Sequence, residues 1–259
     1  GPDGTVAIVE VHGTITEDTA TAAIDDLRQA RQNDSIKAVV VDVNSRGGLA
    51  SVSEQLYLAV KQTSQEMPVT ASVTGSALSG GYYTSSPADR IYVTPASTVG
   101  SVGVRARIPP EKAPSSEITT GPDKATTGTL SEVRRRVEAL RRAFVGSVMA
   151  ERNLTISAEE LSYAKVYSGR QGIEVGLADE IGGLGAAIDR AADQADLSDY
   201  ETVRMESPAP STLSQIGLNA SGASGTGAAV DMTRYFMLHG QIDGQPTAAP
   251  IEVRVNGTN

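Results

Sequence analysis

Two hydrophobic periodicities alternate along the first two hundred residues. "TVAIVEV" (5–11), "IKAVVVDV" (36–43), "VTASV" (69–73) and "RIYVT" (90–94) are short apolar or alternating runs of strand length. The run 36–43 is nearly unbroken, as expected of a strand covered on both faces in a parallel sheet. Between these runs the apolar positions fall at helical spacing. Ala20, Ile24 and Leu27 predict a helix over 17–34, and "SVSEQLYLAVKQT" (51–63) predicts another. A long helix is expected over about 129–152, with Val133, Val137, Leu140, Phe144 and Val148 as its stripe and arginines facing away. "SAEE" (157–160) reads as a capping-box start to a short helix, and 183–195 as one more. Strands alternating with helices predict an α/β layered domain with right-handed crossovers.

Two stretches break this rhythm. Residues 105–128 are rich in Pro, Ser, Thr and Gly and read as an irregular excursion. Residues 207–229 are of low complexity, and "TRYFMLHGQI" (233–242) is a late apolar segment suited to an added strand. The division this suggests is a domain over 1–200, then a linker and tail over 201–259. No internal repeat is visible.

Composition narrows the picture. Aromatics are 4% of the 259 residues and Trp is absent, so Val, Ile, Leu and Ala must build the core. The net charge of −9 argues against a nucleic-acid partner, which needs a basic face. It fits a solubilising acidic surface or a salt-rich habitat. The absence of Cys excludes disulfides, zinc–thiolate sites and a cysteine nucleophile, and two histidines make a multi-histidine metal site a poor expectation. Neither a metal nor a cofactor is expected. No apolar run reaches the roughly 18 residues of a membrane helix, and no signal peptide is apparent. The chain as given reads as soluble. It opens Gly-Pro without Met, as a trimmed or mature fragment would, leaving room for a membrane anchor upstream.

Gly47-Gly48 and Gly80-Gly81 each follow a predicted strand, where α/β folds place their ligand crevice. One such pair is ordinary turn chemistry. Two at neighbouring strand ends could bring backbone N–H groups to one point, as an oxyanion hole requires. Ser79, directly before Gly80, is a candidate nucleophile, although Ala77 breaks the G-x-S-x-G pattern. A nucleophilic serine needs a base. The candidates are His12, at the end of the first strand, His239, and the five lysines Lys37, Lys61, Lys112, Lys124 and Lys165. A lysine base has to titrate about 3 pH units below its ordinary value near 10.4, a cost of roughly 4 kcal/mol to the charged form. The residue pattern alone does not single one out.

The order "DVNSRGG", "VTASVTGSALSGGYY", "ADRIYVTPASTVGSVGV", "TGPDKAT", a long helix and "AKVYSGRQGIEVGLADEIGG" resembles the signal peptide peptidase A (SppA) family of serine-lysine peptidases. The likeness spans about residues 5–195. It implies a ClpP/crotonase-like layered parallel sheet with flanking helices. By the same resemblance Ser79 is the nucleophile, Lys124 the general base, and the amides of Gly47, Gly48 and Gly80 the oxyanion hole. It further implies peptide substrates such as signal-peptide remnants or other unfolded, apolar peptides. It also implies a homo-oligomeric ring or dome, and an extracytoplasmic, membrane-associated catalytic domain.

Several residues depart from the family pattern. Arg46 stands where proline usually precedes Gly-Gly, and Leu78 replaces a smaller residue. The excursion before Lys124 is short and lacks an apolar helix that helps wall the groove. Asp123 beside Lys124 would favour the charged lysine if close in space. Two other functions stay open on this reading: a catalytically weak relative that binds or scaffolds peptides, and a crotonase-like acyl-CoA enzyme, which would need carboxylates in the crevice. A Ser79/His12 pair is a mechanistic variant of the serine-peptidase reading.

Overall fold

The computed structural model describes residues 1–109, 118–121, 123–124, 128–207 and 233–240. Strand β1 (Gly4–His12) sets the layering. Its odd apolar positions, Ala7, Val9 and Val11, enter the main core, while Val6 and Ile8 face a smaller core on the other side. This is the two-residue alternation of a strand buried on both faces. Helix α1 (Glu17–Gln32) starts at Thr16, whose side chain accepts the Thr19 N–H at 3.2 Å, and it buries Ala20, Ala23, Leu27 and Ala30. Strand β2 (Ile36–Ser45) repeats the alternation, with Val39, Val41 and Val43 on one side and Ala38 and Val40 on the other.

After β2 come a three-residue strand β3 (Gly47–Leu49), helix α2 (Ala50–Glu66), strand β4 (Val69–Leu78) and the short helix α3 (Gly80–Ser85). Strands β5 (Arg90–Val93), β6 (Thr98–Gly100) and β7 (Arg105–Arg107) follow. The long helix α4 (Leu130–Glu151) buries Val133, Phe144, Val145 and Val148. The chain continues through α5 (Ala158–Ser162), β8 (Val166–Ser168), α6 (Gly169–Val175) and β9 (Glu180–Ile181). It then runs through α7 (Leu184–Gln194), β10 (Tyr200–Arg204) and β11 (Arg234–Leu238). The main sheet runs β10-β1-β2-β4-β5-β9, all parallel. β6 pairs parallel with the far end of β4, and β8 pairs antiparallel with β6. Helix α7 covers the smaller core with Ala187, Ala191 and Ala192, whose short side chains let helix and sheet approach closely. A second sheet, β3-β11-β7, is antiparallel and sits at the carboxyl end of β2.

One capping expectation is corrected. At "SAEE" the Ser157 side chain accepts the Glu160 N–H at 3.1 Å, but Glu160 turns its carboxylate to Lys165 instead of back to Ser157. Reciprocal capping boxes form at Thr129/Glu132 and Ser168/Gln171. Of the sequence's readings, Lys112 and most of 207–229 lie outside the described residues. No helix among the described residues is long and apolar enough to cross a membrane.

Candidate active site

Ser79 occupies the sharp turn from β4 into α3, with φ 54° and ψ −119°. A non-glycine residue at positive φ costs about 1–3 kcal/mol and persists only where the surroundings impose it. Here they do. The Ser79 N–H donates to the Gly100 carbonyl at 2.9 Å, and its carbonyl accepts the Tyr83 N–H at 2.9 Å. The residue is 2% exposed, and its hydroxyl makes one long contact, 3.4 Å, to the Gly103 carbonyl.

The two glycine turns meet beside it. A Cβ placed on Gly47, where φ is 93°, would stand 2.7 Å from the Gly80 nitrogen. A Cβ on Gly80 would strike the Ser53 hydroxyl at 2.4 Å, and one on Gly81 the Ser45 carbonyl at 2.5 Å. The backbones approach only because no side chains intervene. The three amides assigned by resemblance differ in their commitments. Gly47 donates its N–H to Ser45 Oγ at 3.0 Å, so its service is the turn itself. Gly48 lies opposite Met237 in the β3–β11 ladder. Gly80 opens α3, where the first amides have no partner within the helix.

Aromatic packing fixes α3. The Tyr83 ring stacks on Tyr57 of α2 at 4.4 Å and tilts against Phe144 of α4, also at 4.4 Å. Tyr82 is fully buried and donates its hydroxyl to the Leu177 carbonyl at 2.7 Å. Burial pushes the Tyr82 phenol well above its usual range, so it stays a neutral donor. Glu151 ties α4 to α2 by accepting from Tyr57 at 2.7 Å and from Lys61 at 2.5 Å.

Lys124 is exposed, and its N–H donates to the Gly121 carbonyl at 3.1 Å in a local turn. Among the described residues its ammonium has no hydrogen bond to Ser79. Asp123 is exposed beside it. His12 does not bond Ser79 either: its ring lies 3.3 Å from Asp42 and 3.8 Å from Glu10, in a cluster that Arg204 completes. Lys37 and Lys165 are exposed on the surface, and Lys61 is engaged by Glu151.

Sequence reasoning missed two neighbours. Ser101 sits at φ 52°, is nearly buried, and lies 2.9 Å from His239 Nδ1. Ser53 buries a hydroxyl with no partner among the described residues, next to Gly80. The glycines of "GSVGV" are a signal that the backbone bends there. Nothing local in the sequence brings His239 to it.

Comparison with known proteins identifies the family. Peptidase family S49 matches residues 61–129 and 117–198, together more than half of the chain. A putative protease of Methanocaldococcus jannaschii is 31% identical over 196 residues, covering 70% of this chain and 62% of its own. The chloroplastic serine protease SPPA of Arabidopsis thaliana is 26% identical over 92% of this chain and 37% of its own length. The chain therefore spans under two thirds of each. Among solved structures, the 1510-N membrane-bound stomatin-specific protease superposes with a TM-score of 0.51 at 15% identity, over 79% of this chain and 98% of that one. That likeness shows the fold. The chain belongs to peptidase family S49. Its relatives include signal peptide peptidase A proteins, and the ClpP/crotonase-like layering expected from the sequence is the one observed.

Proposed function

We propose that this peptidase cleaves peptides through an acyl-enzyme formed on Ser79, with Lys124 as the general base. The observation that carries the reading is the strained Ser79 turn set against the Gly47-Gly48 and Gly80 turns, beside the extended strand β11 that pairs with β3 and β7. Neutral Lys124 removes the hydroxyl proton as Ser79 Oγ attacks the scissile carbonyl. The amides of Gly48 and Gly80 take the developing oxyanion, and the proton passes to the leaving amine. Water then hydrolyses the ester and returns the serine.

The exposure of Lys124 bears on where the base acts. An exposed lysine with no side-chain partner among the described residues can be supplied to a neighbouring copy and desolvated there. We therefore place the dyad across a subunit boundary in a homo-oligomeric ring. Extended, apolar peptides, including signal-peptide remnants, are the substrates that a cleft between two strand edges would take. A membrane anchor upstream of residue 1 would hold the catalytic domain at an extracytoplasmic surface. The same exposure favours the second reading, a peptide-binding relative with little turnover.

Hydrolysis of fluorogenic peptides and casein across pH 6–10 tests the choice. The parent should cleave, and Ser79→Ala and Lys124→Ala should each lose at least about a thousandfold in kcat. A Lys124→Ala variant that retains activity would move the base elsewhere. A parent inactive in every condition would favour the binding protein.

A further inference from the structure

The antiparallel sheet at the site is built from distant parts of the chain. β11 is its middle strand, with Phe236, Met237 and Leu238 opposite Leu49, Gly48 and Gly47. On its other edge Arg234, Tyr235 and Phe236 lie opposite Arg107, Ala106 and Arg105. A strand between two unpaired edges is how an extended peptide is held by its backbone. The Met237 carbonyl oxygen stands 1.8 Å from the Cβ position of Gly47 and 3.0 Å from that of Gly80, which puts it between the two turns that converge beside Ser79. The Met237 side chain is 0% exposed and belongs to the main core. Further contacts clamp the segment. His239 donates its N–H to the Arg46 carbonyl at 2.9 Å, its ring meets Ser101, and Arg105 donates to the Gly240 carbonyl. The Arg136 guanidinium lies 5.8 Å over the Tyr235 ring.

We infer that β11 is a pseudosubstrate: it lies where an extended peptide would lie in its own chain, with the Met237 carbonyl against the Gly47 and Gly80 turns and the Met237 side chain in the place of the residue before the scissile bond. The inference rests on the serine-peptidase reading for the meaning of the cleft, but not for the occupancy itself. It defines the substrate class as peptides with an unbranched or Leu-like apolar side chain at that position. It also makes the tail a competitor. A tethered strand has an effective concentration of about 1 mM, so a strand whose untethered form binds at about 0.1 mM disadvantages any free peptide about tenfold.

The test uses the full chain. Met237→Asp would bury a charge and so ejects the strand. Phe236→Pro breaks the ladder without adding charge. Both should raise kcat/KM on a fluorogenic peptide with Met before the scissile bond about tenfold, and should leave the circular-dichroism spectrum unchanged. A peptide with Asp there should remain a poor substrate. Unchanged or reduced activity in both variants, with the fold intact, overturns the inference. A second measurement is independent of turnover. In a Ser79→Ala background, a fluorescein-labelled peptide of the sequence Thr233–Gly240 should bind the Met237→Asp chain about tenfold more tightly than the chain that keeps Met237. Equal binding to both, or to neither, overturns the occupancy. Loss of activity in every chain together with this selective binding would instead leave the occupancy standing and refute the peptidase reading.

Discussion

The carbonyl oxygen of Met237 lies 1.8 Å from the point that a Cβ on Gly47 would occupy. A residue near the end of the chain thus depends on the absence of a side chain near its beginning. Gly47 also needs its φ of 93°, which an L-residue adopts only with strain. Gly47→Ala is expected to expel β11 and push the Gly48 turn away from Gly80. Losing one oxyanion donor costs about a hundredfold to a thousandfold in kcat. Steady-state kinetics should show that loss, with KM changing far less.

The position of Lys124 leads to a mixing experiment. If each active site takes its serine from one subunit and its lysine from the next, Ser79→Ala and Lys124→Ala chains complement each other. Dissociating, mixing and reassembling the two inactive variants should restore about a quarter of parental activity, because half of the subunits carry Ser79 and half of their neighbours carry Lys124. A dyad within one chain would restore nothing.

Tyr82 connects the site to the core. Its buried hydroxyl donates to the Leu177 carbonyl at 2.7 Å, so Tyr82→Phe leaves that carbonyl short of a donor inside the protein. The expected loss is about 1–3 kcal/mol. At about 2–4 °C per kcal/mol for a domain of this size, calorimetry should show a clear drop in Tm. Tyr83→Phe, whose hydroxyl reaches Ser147 only at 3.2 Å in a partly open setting, should lose less.

Tail docking should depend on pH through His239. Burial, then the Arg46 and Arg105 guanidiniums, hold its imidazole below the ordinary value near 6.5. The undocked ring therefore binds a proton more readily than the docked one. Docking is at full strength above about pH 6.5 and weakens as pH falls from there through the depressed value. Binding of the labelled Thr233–Gly240 peptide to the Met237→Asp, Ser79→Ala chain should weaken from pH 8 to pH 5. The same peptide carrying Gln in place of His239 should give a flatter profile.

The main sheet was legible because its strands announce themselves locally. The unbroken run of β2 and the two-sided alternation of β1 need no knowledge of distant residues, and the stripe of α4 marks which face packs. The Ser79-Gly80-Gly81 turn was legible for the same reason, since glycines and a serine at a strand end carry backbone geometry in their identity. The β3-β11-β7 sheet was not. Its outer strands are three residues long, too short for a period to show, and its middle strand arrives from nearly two hundred residues away. The donation of the Gly47 amide to Ser45 was also hidden, because it depends on which way one turn faces. Reading Lys124 as a base came from resemblance. Its own surroundings in a single chain are those of an exposed charge.

The central claim is that Ser79 is the nucleophile, and covalent labelling tests it most directly. The full chain would be treated with a fluorophosphonate, then measured by intact mass and peptide mapping, beside Ser79→Ala. Met237→Asp versions of both would open the cleft. A single adduct on Ser79, faster in the Met237→Asp chain and absent from Ser79→Ala, is the expected result. An adduct on another serine, or equal labelling of Ser79→Ala, would contradict the account.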